Sequence, residues 1–480
     1  MGKKTPSFVL DLPLVVSGSQ DRELQARLQA GRQLYNAVLG ESLNRMGRYS
    51  ASAEFKSAKA MKRGKTGKDA TKDQKALAKA RNDAFHDAAI QFEWTDFDLQ
   101  SFASQSARDS KWIAEKIDAQ STQTLSTRAF RATERIMFGK ARKVRFKGVG
   151  WFKSMQGKTN KQGIRIRDER FTWGKLSLAT IIDRDNPIHN HGLDSPIKFV
   201  RIIRRDLNGK RRWFTQLVLE GLPYAKPQNV VASGLIGLDL NVSNVAFVGD
   251  NHAGLMPFAE GVPTMQKEIS ALQRQMQRSQ RANNPECFED DFLAKKGRKT
   301  VTKKGKFKKG KRVSIRSKAY KATAKKKREI ERRKVAYSKS QNRKLANAVL
   351  RHGSEIRTEK VSVKGWQKRY GKAISAKSPG FFQSELKRKA ESAGGSFTEF
   401  STQKTALSQT HLTGERIKKP LSVRIHRDQS GIVMHRDLFS AYLSRFVTDD
   451  MLAIDDAASQ YPGSEMILSN AWQVHKSLSA

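Results

Sequence analysis

Residues 234–248 read GLIGLDLNVSNVAFV. The run Gly234-Leu235-Ile236-Gly237-Leu238 is too short for a helix and too apolar for a surface segment, so it predicts a buried strand, ending in Asp239. Val245 to Val248 and Gly254 to Phe258 predict two more strands, separated by polar turns. Downstream, Met265, Ile269, Leu272 and Met276 fall on one stripe of a helix, and Ile330, Tyr337, Leu345, Val349 and Leu350 on one stripe of another. Ile356 to Val363 reads as a strand carrying Glu359, Phe381 to Ser392 as a helix, and Ser396 to Phe400 as a strand. Residues 401–433 show no periodicity. Asp437 then opens a last helix marked by Leu438, Tyr442, Leu443 and Phe446.

Three strands, a helix, a strand, a helix, a strand and a helix is the element order of an RNase H-like fold. In that fold the first strand, the fourth strand and a late helix meet at one cleft. Asp239, Glu359 and Asp437 occupy those three places. Taken singly each has a plainer reading: a turn residue closing a strand, a solvated strand residue facing a cation, and an acid favoured by a helix N-terminus. Together, and in this order, three carboxylates can hold two hard divalent ions about 3.5–4 Å apart for phosphodiester hydrolysis. Carboxylate oxygens favour Mg2+ or Mn2+.

The composition points to the same class of substrate. The chain of 480 residues carries 92 Lys+Arg against 46 Asp+Glu, a formal net charge of +46. So strong an imbalance makes the compact chain repel itself and favours a polyanionic partner, whose counterions are released on binding. A ribosome- or chromatin-like binder without chemistry is the plainer alternative. The single cysteine, Cys287, excludes an internal disulfide and any multi-cysteine metal site, and a reducing, cytoplasmic setting is expected. No apolar run reaches the roughly 18 residues of a membrane span. The basic start Met1-Gly2-Lys3-Lys4 leads into a stretch broken by Asp11 and Pro13, which does not read as a signal peptide.

Upstream, Ser7 to Val16 predicts a strand. Ser17 and Ser19 are candidate caps for a helix whose apolar face carries Leu24, Leu28, Tyr35, Leu39 and Leu43. Residues 55–81 are polar and Lys/Ala-rich, either an exposed helix or a loop. A helical block follows over 97–139. Ile164 and Ile166 alternate with Arg165 and Arg167, a strand with one basic face. Gly174 separates the halves of one hairpin, and Asn208-Gly209 is a strong turn signal for another. From Ala294 to Arg328 there is no acidic residue, and the first half of that tract is expected to be disordered until it meets phosphate.

The motifs resemble those of the TnpB family of transposon-encoded RNA-guided nucleases and of their relatives, the compact type V CRISPR effectors. GLIGLDLNVSNVAFV resembles the first RuvC motif, SEIRTEKVSVKGW the second, and FFQSELKRKAESAGG the helix after it. SQTHLTGERIKKPLSVR with GIVMHRDLFSAYL resembles the nucleic-acid-binding insert and third motif, and LQARLQAGRQLYNAVLGESL the opening helix. The resemblance implies an α/β multidomain chain: an RNase H-like (RuvC) nuclease domain in the C-terminal half and an N-terminal β-barrel (wedge) domain with an inserted helical recognition domain. The expected bounds are 1–19 and 140–230 for the barrel, 20–139 for the helical domain, 231–400 and 434–480 for the nuclease domain, and 401–433 for the insert.

The same resemblance implies a DNA endonuclease directed by a guide RNA, made of a structured scaffold and a guide segment, against target double-stranded DNA beside a short protein-read motif. Asp239, Glu359 and Asp437 are the expected metal ligands, and Arg424 matches an arginine kept near the active site. The expected setting is the prokaryotic cytoplasm, with a monomer or homodimer on the RNA. Because base pairing reads sequence in such systems, the protein needs long basic surfaces to hold the duplex backbone. Candidates are Arg165, Arg167, Lys210, Arg211, Arg212, Lys325, Lys326, Lys327, Arg328, Arg332 and Arg333. Phe146, Trp151, Phe152, Trp173, Trp366 and Tyr370 could stack on bases.

The sequence departs from the family pattern in three places. Where family members carry zinc-binding cysteines, His411, Gly414, Arg427 and Ser430 stand, so no zinc is expected. Asn241 replaces a glycine after the first motif, and Phe439 replaces an asparagine two residues beyond Asp437. Two rival functions remain open at this point: a non-cleaving RNA-guided DNA-binding protein, and a guide-independent RNase H-like nuclease or transposase.

Overall fold

In a computed structural model, the described residues are 6–67, 69–259, 265–311, 313, 315–420 and 422–479. The basic start Met1-Gly2-Lys3-Lys4 lies outside them, as do residues 312 and 314 of the basic tract. The chain is a mixed α/β protein of two compact units, Met1–Tyr224 and Ala225–Ala480. Among the described residues no helix is long and apolar enough to cross a membrane.

The first unit is built on helix Gly18–Ala51, started by a capping box in which Ser17 and Gln20 satisfy each other's backbone N–H groups. Its buried face carries Leu24, Leu28, Leu34, Val38 and Leu39, and it packs against Ala119–Met137. The polar stretch 55–81 contains helix Ala53–Ala60 and the start of helix Lys72–Gln91. Strands Ser7–Pro13, Lys210–Glu220, Ile197–Leu207 and Ser154–Gln156 form one antiparallel sheet in that spatial order, and Ile164–Arg167, Arg170–Trp173 and Leu176–Ala179 form a second.

Neither sheet is closed, which corrects the expected barrel. A bridge at Leu14–Thr180 joins them at one end. On the open side, Asn160 takes the place of a neighbouring strand: its Oδ1 accepts from Ile166 N–H at 2.9 Å and its Nδ2 donates to Ile166 C=O at 3.4 Å. The outward backbone groups of Ile166 are thus satisfied by a side chain rather than by a further strand.

The second unit centres on a five-stranded sheet. Its spatial order is Ala253–Pro257, Asn244–Val248, Leu235–Leu240, Glu355–Glu359, Ser396–Phe400, the third, second, first, fourth and fifth strands in chain order. The first three are antiparallel meander strands, and the first, fourth and fifth run parallel. Parallel neighbours need crossovers. Helices Gln266–Asn283 and Lys318–Leu350 lie in the first crossover, and Pro379–Ser392 in the second.

Three further expectations need correction. The strand through Glu359 ends there, and Val363–Lys377 is a helix whose cap, Ser362, accepts from Gly365 N–H. Part of the acid-free tract pairs as a hairpin, Phe292–Lys296 with Lys299–Lys303, because its β-branched and aromatic positions and the Gly297 turn supply a local ladder. The Asp437 helix, Arg436–Ser444, is followed by another, Ile454–Ser479.

Candidate active site

Asp239 is the last residue but one of the central strand, which runs on to Leu240 rather than ending at the acid, and parallel pairing of Thr358 with Leu238 sets Glu359 beside it one residue further along. The third acid arrives on helix Arg436–Ser444, which packs directly on this strand. That approach depends on Gly237. A Cβ there would lie 2.0 Å from Ala441 C=O, so only a residue without a side chain lets the helix come so close.

The three carboxylates share one electrostatic environment. Burial, then Asp437, then Glu359 push the Asp239 carboxyl well above the usual carboxylate range. Burial pushes Glu359 up to about 7, against a hydrogen bond from Leu407 N–H. Desolvation and like charges disfavour ionisation in the same way, and a bound cation relieves both. The carboxylates present therefore fit hard divalent ions. Asp437 is buried and braced. Asn241 Nδ2 donates to its Oδ2 at 3.2 Å, and its own N–H donates to His435 Nδ1 at 3.2 Å. Arg424 and Arg436 each hold a guanidinium nitrogen 3.8 Å from Asp437 Oδ1. Arg424 is half exposed and Arg436 is buried. A cleft of about 800 Å3 opens beside Glu359, lined also by Lys360, Trp366, Arg369 and Asp450.

Sequence reasoning did not assign roles to Asn241 and His435. Asn241 had been singled out only as a missing glycine, and its value to Asp437 is a contact across 196 positions.

Residues 411–430 are held together by a buried cluster of side chains. Of His411, Gly414, Arg427 and Ser430, only His411 joins a possible ligand group, with His426 and Asp428. One ligand atom from each lies within 4.8 Å of the others. Among the described residues this is the one such group, and the carboxylate trio is not gathered that closely. Hydrogen bonds tie the two turns of the insert together here. Leu412 N–H donates to Asp428 Oδ2 at 3.1 Å, Gln429 N–H to His411 Nδ1 at 3.1 Å, and His426 Nε2 lies 3.0 Å from Asp428 Oδ2. Burial opposes ionisation of Asp428, but hydrogen bonds from His426, Ser430 and Leu412 outweigh it and draw the carboxyl down to about 2.

The basic candidates fall into two sets. Arg211 pairs with Asp21 at 2.5 Å, Lys327 with Glu331 at 2.6 Å, and Arg332 and Arg333 with Glu329 at 2.6 and 3.4 Å. Arg167 lies 3.7 Å from Asp168, and Arg165 donates to Lys161 C=O and to Thr172. Lys210, Arg212, Lys325, Lys326 and Arg328 stand exposed. Of the aromatic candidates, Phe152 and Trp173 are core, the latter under the Arg27 guanidinium at 4.6 Å, while Phe146, Trp151 and Tyr370 are exposed and Trp366 is half-buried.

Comparison with known proteins adds little. No protein-family model matches the chain, and no curated protein does. A solved complex of Cas12f1 with sgRNA and target DNA is similar at a TM-score of 0.43 and 12% identity, over 92% of this chain and 99% of that one. A CRISPR-Cas12f ternary complex is similar at 0.29 and 11%, over 90% and 98%. Likenesses this distant do not decide a fold or an activity.

Proposed function

We propose that the chain is an RNA-guided DNA endonuclease of the TnpB or compact type V kind, with its second unit as an RNase H-like (RuvC) catalytic domain. One observation carries the reading: the strand and helix packing buries Asp239 and sets it within the electrostatic reach of Asp437 and Glu359, and burial first, then those two charges, raise its carboxyl well above its ordinary value. A chain with no use for cations gains nothing from three acids crowded this way. The sheet order, with acids on the first and fourth strands and a helix laid over the first, supports the same fold assignment.

The divalent ions, when bound, supply an activated water and stabilise the departing 3′ oxygen, leaving a 5′-phosphate and a 3′-hydroxyl. The chain's own residues prepare that chemistry. Asp239, Glu359 and Asp437 provide hard oxygen donors, and Asn241 and the His435 ring fix the orientation of Asp437. Arg424 presents its guanidinium from the half-exposed side, where a phosphate oxygen would find it. Guide RNA and target DNA are the proposed partners, held by the net charge of +46.

The test is a cleavage assay on purified full-length protein carrying its co-purified RNA, sequenced to define the target. Mg2+-dependent cutting of matched DNA is expected. It should vanish in Asp239→Ala while target binding persists. Cutting by the alanine variant equal to the parent would overturn the assignment. Activity that survives digestion of the RNA would point instead to a guide-independent nuclease.

A further inference from the structure

Between Glu134 and Asp168 the sequence has no acidic residue, and within that span Lys140, Arg142, Lys143, Arg145, Lys147 and Lys153 crowd a segment that also carries Phe146, Val149 and Trp151. Trp151 is 79% exposed and Val149 78%. An indole left in water forgoes one of the largest burial gains any side chain can make.

The segment is nonetheless pinned in place. Trp151 N–H donates to Gly148 C=O at 3.1 Å, closing a turn in which Gly150 takes φ +80°, a conformation that glycine adopts at little cost. On one side, Lys147 is held by Asn36, which accepts from its N–H at 2.8 Å and donates to its C=O at 3.0 Å, and by Arg32 Nη1 on the same carbonyl at 3.2 Å. On the other, Arg204 Nη2 donates to Gly150 C=O at 2.7 Å and Arg204 N–H to Lys153 C=O at 2.8 Å. The next aromatic, Phe152, is buried in the core. Among the described residues no other ring stacks on Trp151. The turn leaves the indole exposed, and Arg142, Lys143 and Arg145, six to nine positions upstream in the same acid-free segment, are exposed as well.

We propose that Trp151 is a stacking platform for an unpaired nucleobase, with Arg142, Lys143 and Arg145 holding the phosphates of the same strand. A pinned, solvent-facing aromatic in an acid-free segment rich in exposed Lys and Arg fits a single-stranded polyanion. Every base offers a π face, whereas the bases inside a continuous duplex hide theirs. A protein partner would have to bring acidic charge to the same place and gains nothing from a lone planar ring. The proposal rests on the nucleic-acid reading above but uses no residue of the carboxylate site.

Labelled 20-nucleotide oligo(dT) and oligo(rU), and a 20-base-pair duplex, are titrated with full-length protein by fluorescence anisotropy. Trp151→Ala should weaken single-strand binding roughly tenfold, with Trp151→Phe retaining most of it and duplex binding changing less than twofold. The salt dependence should be unchanged in Trp151→Ala and shallower in the triple variant Arg142→Gln, Lys143→Gln, Arg145→Gln. Loss confined to oligo(dT) would place a DNA strand on the indole, and loss confined to oligo(rU) would place RNA there. Unchanged single-strand affinity in Trp151→Ala overturns the proposal. So does equal loss on single strand and duplex, or a circular dichroism spectrum showing that the variant has lost its fold. Failure of the parent to bind any of the three overturns the nucleic-acid reading with it, whereas cutting by Asp239→Ala leaves this proposal standing.

Discussion

The ring of Phe439 stacks on the imidazole of His426, with centroids 4.0 Å apart and planes 16° from parallel. Phe439 lies two residues beyond Asp437 on the helix that delivers the third carboxylate, and His426 belongs to the hydrogen-bonded brace of the insert. An aromatic pair therefore presses Ile425–Arg427 onto the helix that carries Asp437. Both rings are fully buried. Phe439→Ala removes the surface on which His426 rests and should cost about 3–5 kcal/mol. A lowered Tm by scanning calorimetry, together with slower cleavage, is expected. A Tm equal to the parent's would mean that the stack contributes nothing.

Acid should loosen the same brace. Burial holds the His426 imidazole below its usual pKa. A histidine held neutral in the fold contributes stability that is complete above its unfolded pKa of about 6.5 and is lost as pH falls toward and below its depressed folded value. Histidine ring resonances followed by NMR, or hydrogen exchange over residues 411–432, should report opening of the insert on acidification below about pH 6.

The carboxylate trio predicts the opposite trend. Asp239 is raised well above its ordinary value and Glu359 to about 7. A carboxyl whose folded pKa exceeds its unfolded one favours folding most below the unfolded value, about 4.3 for Glu, and loses that contribution as pH rises through the folded value. Metal-free protein should therefore lose stability from this site between about pH 4.5 and 7. Mg2+ or Mn2+ should raise Tm more at pH 8 than at pH 5.5, since ion binding displaces protons. The Asp239→Ala variant, with one fewer repelling charge, should be more stable than the parent without metal at pH 8 and should gain less from it. A metal-induced shift independent of pH would contradict the proposed ligand set.

Gly237→Ala tests the close approach directly. Its methyl group would meet Ala441 C=O, which belongs to helix backbone and cannot swing aside. The helix must shift, at a cost of about 1–3 kcal/mol, and Asp437 shifts with it. Cleavage should fall by more than the loss of folded protein explains, measured as active-site-normalised rate against the fraction folded at the assay temperature.

Arg424→Gln removes the half-exposed cation beside Asp437 and leaves Arg436 in place. Cleavage should drop roughly a hundredfold, as for loss of one transition-state donor, with target affinity little changed. A proportional loss of affinity and rate would make Arg424 a binding residue instead.

Local signals accounted for much of the chain. Ser17 caps its helix, Asn208-Gly209 turns its hairpin, and the Leu235–Leu240 run is a buried strand, because each depends on neighbours within a few positions. The helix Val363–Lys377 escaped notice because its polar sequence bends at Gly371, with φ 41°, and lacks a clean apolar stripe. The open edge beside Ile164–Arg167 escaped for a different reason: a single asparagine several residues away substitutes for a strand, and no period marks it.

By itself, the sequence determined the charge that calls for a polyanion, the strands and helices with strong periodicity, and the identity of three acids in the order Asp239, Glu359, Asp437. Those properties are set by composition and by contacts along the chain. Only the tertiary structure decided that the acids crowd one another, that Gly237 admits the helix bearing Asp437, that Asn241 steadies that carboxylate, and that Trp151 faces water while Phe152 does not. Each of these depends on parts of the chain far apart in sequence meeting at distances of a few ångströms, where desolvation, steric exclusion and hydrogen bonding act and sequence spacing carries no information.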